Sequence, residues 1–182
     1  MLFRLAAVAA VVMLSSVSSF ADTGDAKLQL FKDIQTQVNR FVYFTIFDDI
    51  DIGIEDGGVV ALSGSVTSSF KKREILKRIA RVDGVTHVDN TIDVLPVSRM
   101  DSEVRYRVAR AIYGNGGFSH YSRRNAPVHI VVENRHVTLK GVVNNEVDKA
   151  LAASLAWQFG TRTVTNDLLT THEAKAELEL LN

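Results

Sequence analysis

The sequence predicts an α+β protein made of two tandem αββαβ units. Three observations carry that expectation. The first is a stretch that occurs twice: Val60-Ala61-Leu62-Ser63-Gly64-Ser65-Val66 returns 77 positions later as Val137-Thr138-Leu139-Lys140-Gly141-Val142-Val143. In both, apolar residues alternate as in a strand with one buried face, and a Gly inside marks a bend, a bulge or a close backbone approach. The second is that matching helical and strand patterns flank both copies. The third is the absence of Cys, so each unit must be held by apolar packing rather than by disulfides or thiolate metal sites.

The chain opens with Arg4, an apolar run from Leu5 to Leu14 and small polar residues through Ser19. That pattern predicts a signal peptide over 1–21, cut after Ala21; the apolar run is too short for a membrane span. With no Cys after the run, a lipid anchor through Cys is excluded. Removing the leader takes away only Arg4, leaving 20 Lys+Arg against 21 Asp+Glu, a formal charge of −1. Near-neutral charge argues against a general nucleic-acid binder, so electrostatic function has to come from local patches. About 160 residues remain, enough for one ordinary domain or two small ones.

The first unit, expected over 25–97, begins with a helix whose Leu30, Phe31, Ile34, Val38 and Phe41 share one face. A loop containing Tyr43 to Phe47 leads to the alternating run Asp49–Ile54, with Asp49, Asp51 and Glu55 read as its solvent side. Asp56-Gly57-Gly58 predicts a hairpin turn. After the return strand Val59–Val66, Thr67, Ser68 and Ser69 offer N-cap hydroxyls for a helix from about Ser69 to Val82, and Gly84 suits its C-terminus. One strand over Val85–Val94 completes the unit before Pro96.

The second unit, expected over 101–170, repeats the order. Asp101 and Ser102 are placed as caps for a helix through Val104, Val108 and Ile112. A Gly-rich loop from Gly114 to Asn125 precedes the strand Val128–Val132, a tighter turn and Val137–Val143. A helix through Leu151, Leu155 and Phe159 ends at Gly160, and Val164–Leu168 forms the last strand. The tail 171–182 keeps helical spacing at Ala174, Leu178 and Leu181.

The motif residues Val60, Leu62, Gly64, Val66, Gly84, Val88 and Asn90, and in the second unit Val137, Leu139, Gly141, Val143, Gly160, Val164 and Asn166, resemble the BON domain family. Signal peptide plus two such units is the layout of small periplasmic osmotic-stress proteins. The resemblance implies two units, each a small mixed sheet covered by two helices. It also implies a non-enzymatic role and association with phospholipid membranes or envelope partners, in a periplasmic location. The shared motif positions are fold determinants and bring no site with them.

Chemistry-bearing residues concentrate in three places. The first unit's second helix carries Lys71, Lys72, Lys77, Arg78 and Arg81, with Arg73, against the single acid Glu74. Such a helix either rests on an anionic lipid surface or only shows charge to water. The loop with Phe118, Tyr121, Arg123 and Arg124 either inserts rings while Arg binds phosphate, or folds back on its own unit. The stretch Ala150–Phe159 is uncharged; it is a buried contact between units or copies, or it sets Trp157 at a headgroup boundary. These residues form the candidate contact with an anionic phospholipid surface or an envelope protein, with a homo-oligomer as a further option. The alternative to lipid binding is a protein-interaction or chaperone-like module using that uncharged helix. His129 and His136 flank one hairpin, but no ligand set completes a metal site, and neither a cofactor, a small-molecule substrate nor a catalytic constellation is expected.

Overall fold

A computed structural model describes residues 22–121 and 126–179. The expected leader over 1–21 lies outside the described residues. The first unit consists of α1 (Asp22–Asn39), β1 (Asp49–Ile54), β2 (Val59–Val66), α2 (Ser69–Ile79), β3 (His87–Asn90) and β4 (Asp93–Val94). The second consists of α3 (Arg99–Tyr113), β5 (Val128–Glu133), β6 (His136–Val143), α4 (Glu146–Ala156) and β7 (Thr163–Thr170), and α5 (Thr171–Glu179) follows. Each sheet is mixed: β2 pairs antiparallel with β1 and parallel with β3 and β4. Likewise β6 pairs antiparallel with β5 and parallel with β7. The fold is α+β with two αββαβ units.

The repeated stretch is the central strand of each sheet. Its alternation buries Val60, Leu62 and Val66 against Ile34, Val38, Ile75 and Ile79. In the second unit Val137, Leu139 and Val143 face Val104, Val108, Ile112 and Ala152. Gly64 and Gly141 both hold φ near 111°, and a Cβ on either would run into a backbone carbonyl across its own hairpin, that of Asp49 or Pro127. The glycine therefore marks a close backbone approach.

Several boundaries differ from the sequence expectation. α2 stops at Ile79, capped by Ala80, instead of reaching Val82. The third strand is split at Thr91-Ile92, because Ile92 leaves the ladder to enter the core while Thr91 bonds the Leu62 carbonyl. Ser98, rather than Asp101 or Ser102, caps α3 by accepting from the Asp101 amide at 3.1 Å. Asp101 is buried in the first turn and accepts from the Asn134 and Arg135 amides, the two positive-φ residues of the second hairpin. α4 ends at Ala156, so Trp157 and Phe159 lie beyond it. The last strand runs on to Thr170, and the tail is helical through Glu179.

The units are joined by more than the short linker. The Thr45–Asp48 segment, just before β1, runs along the outer edge of β5. The Ile130 amide donates to the Ile46 carbonyl at 2.6 Å, and His129 Nδ1 donates to the Asp48 carbonyl at 2.5 Å. Ile46 and Phe47 pack into the second unit's core, with the Phe47 ring 5.3 Å from Tyr106. Lys140 reaches Asp51 at 2.6 Å and Asp49 at 3.1 Å.

The Asp48 side chain shapes this segment. Its carboxylate is fully buried and accepts from the amides and hydroxyls of Thr45 and Thr67 at 2.7–2.8 Å and from Lys71 Nζ at 2.5 Å. Burial alone would raise its pKa, but the Lys71 and threonine hydrogen bonds outweigh burial and hold it below the usual carboxylate range.

Two outcomes are expected. Gly64→Ala or Gly141→Ala should cost about 2–4 kcal/mol in urea unfolding, through positive φ plus the carbonyl clash. Asp48→Ala should cost about 3–5 kcal/mol by leaving Lys71 buried without its partner. A carboxyl with a lowered folded pKa stabilises above its unfolded value and loses that contribution as pH falls through the folded one. The stability of Asp48→Asn should therefore fall less steeply with decreasing pH than that of the unsubstituted protein in that window.

Candidate functional site

The basic helix α2 sets Ile75 and Ile79 on the core, and its cations divide into two groups. Lys71 and Lys72 do structural work: Lys71 binds Asp48 and the Thr67 hydroxyl, and Lys72 donates to the Ile92 carbonyl at 2.5 Å. Both are corrected as surface contacts, because each ammonium is drawn into a buried acceptor. Lys77 and Arg81 are exposed, and half-buried Arg78 lays its guanidinium 4.8 Å over the Phe41 ring. With Gln37, Glu74 and Val82 they line a surface hollow of about 260 Å³.

An aromatic cluster continues this surface. Phe41, Tyr43 and Phe70 stack mutually edge-on or tilted at 5.6–6.4 Å. Phe41 is buried, but Tyr43 is 58% exposed, Phe70 46%, and Val42 beside them more so. Phe70, Glu74, Lys77 and Arg78 sit at i, i+4, i+7 and i+8, along one side of α2. Tyr43 lies in the loop expected before β1, and Phe70 is not among the residues that the sequence pattern singles out. A signal was present: Phe70 is five residues from Ile75, about 140° round the helix from the apolar stripe.

The loop after α3 resolves the other way. Phe118 is 2% exposed and belongs to the second unit's core, with Tyr121 stacked on it at 5.6 Å. The Tyr121 hydroxyl donates to Asp148 at 2.6 Å and accepts from the Asn144 amide at 2.7 Å. Burial, then the Asp148 carboxylate, raise its pKa. Asn115 folds the loop back by accepting from the Gly117 amide. Phe118 and Tyr121 are thus corrected from inserting rings to packing groups; period alone cannot tell an aromatic that covers a core from one that leaves it. Arg123 and Arg124 lie outside the described residues.

Trp157 is exposed just past α4, as is Phe159, whose ring lies 5.3 Å from the Arg107 guanidinium. α4 buries Ala152 and Ala156 and leaves Val147 in solvent. Asp49, read as solvent-facing, is 8% exposed because the second unit covers that corner. Burial, with help from Asp51, raises its pKa against the pull of Lys140. Asp51 and Glu55 do face solvent. The hairpin register sets His129 opposite Lys140 and His136 opposite Glu133, at opposite ends. Among the described residues no cluster of three or more His, Asp or Glu is placed to hold a metal, and no helix is long and apolar enough to cross a membrane.

The arrangement brings together Lys77, Arg78, Arg81, Tyr43 and Phe70 on one face, and keeps Trp157 apart on the second unit. Chemically this face offers cations for anionic groups beside rings that bury against an apolar boundary.

Solved structures similar to this chain include CdsD, a structural protein of the type III secretion system of Chlamydia trachomatis, at 17% identity over 84% of this chain and 98% of that one, with a TM-score of 0.30. Its C-terminal domain matches at 15% identity over 78% and 96%, also at 0.30. Likeness at that level bears on neither site nor function. No curated protein matches. The BON domain family model matches twice, over residues 32–96 and 101–171. Those spans take in most of both αββαβ units and most of the chain, and the protein belongs to the BON domain family.

Proposed function

We propose that this protein is a peripheral, non-enzymatic envelope protein that rests on anionic phospholipid surfaces through the cation–aromatic face of its first unit. Family membership supports a membrane- or envelope-associated, non-catalytic role. The observation that carries the lipid reading is the continuity of exposed Tyr43, Phe70 and Val42 with Lys77, Arg78 and Arg81. Three cations near an anionic surface contribute about 3 kcal/mol at ordinary salt, and the rings add buried area. Such binding is reversible and salt-dependent. Export through the leader at 1–21 puts the face in the periplasm, where a role in envelope integrity under osmotic stress fits reversible contact.

Flotation of the chain lacking the leader tests this with anionic and zwitterionic vesicles at low and high salt. Binding is expected to anionic vesicles only and to fall with salt. Lys77→Glu with Arg81→Glu, and separately Tyr43→Ser with Phe70→Ser, should each weaken it about tenfold or more. Unchanged binding by both pairs would move the contact off this face. As a contrast, Tyr121→Phe should lose about 1–2 kcal/mol of stability through its hydrogen bonds and leave vesicle binding as it was.

A further inference from the structure

Among the described residues, each sheet edge except one carries a feature that discourages pairing. β1 alternates Asp49 and Asp51 along its length, and β3 is only four residues long, carries His87 and Asp89, and breaks off at Thr91-Ile92 before Asp93 of β4. The Thr45–Asp48 segment covers β5. β7 is different: it spans eight residues, Thr163-Val164-Thr165-Asn166-Asp167-Leu168-Leu169-Thr170, with one charge. It packs on β6, α4 and α5, and among the described residues no backbone hydrogen bond reaches its outer side. Long, β-branched, nearly uncharged edges are templates for strand addition.

The helix above that edge is matched to it. α4 straddles β6 and β7 while α3 covers β5. Asn166 of β7 donates to the Lys149 carbonyl, and Leu151 lies against Gly117 on the opposite flank. Helical spacing then turns Ala150, Ala153 and Trp157 toward the β7 edge. The first is exposed, the second half-buried and the third mostly in solvent. This flank presents two small residues and one ring, with exposed Glu146 one turn before Ala150 and Lys149, paired with Glu173 at 3.1 Å, beside β7.

We infer that the β7 edge and the adjoining α4 flank form a homotypic interface, in which β7 pairs antiparallel with β7 of a second copy about a two-fold axis. The spacing supports a copy of this chain as the occupant. Strands lie about 4.8 Å apart, so the two α4 helices straddling their own β6 and β7 come to lie about 10 Å apart. Helices with small residues at the contact pack at about that distance. A bare peptide strand would fill the edge and leave Ala150 and Ala153 uncovered; a second copy sets its own α4 beside them. Residues on the same face must be opposite one another, so the register centres on a residue. Centring on Asn166 sets each Asp167 across from Thr165 of the other copy, and no like charges meet. The result is one continuous six-stranded sheet with α3 and α4 of each copy on one side, and the first unit's cation–aromatic face is not used.

Sedimentation equilibrium over a wide concentration range, with hydrogen exchange at both ends of it, tests the interface on the chain lacking the leader. A reversible dimer is expected, with amides in Thr163–Leu169 exchanging more slowly at high concentration. Thr165→Lys and Ala150→Glu change exposed side chains that the fold does not use, and each should weaken dimerisation about tenfold or more. A chain that stays monomeric into the millimolar range overturns the inference. So does a dimer that both variants leave intact, or a monomer whose β7 amides are protected only by an added extended peptide.

Discussion

A single buried carboxylate decides how this chain is assembled. Asp48 gathers two amides, two hydroxyls and an ammonium, and in doing so fixes the backbone from Thr45 onward. Only with that segment held can the Ile46 and Asp48 carbonyls present themselves to β5. The same residue draws Lys71 off the surface. One interaction thus sets the local loop, the joint between units and the composition of the basic face.

The second unit meets the same structural need with inverted polarity. In the strand registers Ile50 faces Gly64 as Val128 faces Gly141, which makes Ala126 the counterpart of Asp48. The helix position three past the N-cap is Lys71 in the first unit and Asp148 in the second. There the acid sits on the helix, and the loop supplies Tyr121, whose hydroxyl links Asp148 to the Asn144 amide. Loop and helix are tied together in both cases, but the tie in the first unit is ionic and leaves a carbonyl edge for another unit to use.

Much of the fold was legible because it rests on local patterns. Alternation at Val60, Leu62 and Val66, repeated at Val137, Leu139 and Val143, located both central strands, and the glycine between them marked a real close approach. The site was less legible, because exposure depends on what lies opposite. Asp49 alternates as a solvent residue should, and only the second unit's arrival buries it. Lys71 and Lys77 look alike in a charge run, yet one faces Asp48 and the other water. Phe118 and Phe70 are both single aromatics near polar residues; long-range packing sends the first inward and leaves the second out. Ser98 was passed over as a cap because Asp101, a good capping residue by type, is taken by the hairpin amides instead.

The joint is directional. The first unit gives a shaped loop and the second receives it with His129, Ile130 and Lys140. The register counterparts of His129 and Lys140 in the first unit are Asp51 and Ser63, and the counterpart of Asp48 in the second is Ala126. Two first units in tandem would set acids against acids, and two second units would lack the loop. With the roles exchanged, so that the second unit offered its loop to the first unit's β1 edge, the joint would lack both the shaped loop and its basic receiver. The halves began from one pattern and are no longer interchangeable parts: a chain reshuffled from them would keep its folds and lose its articulation.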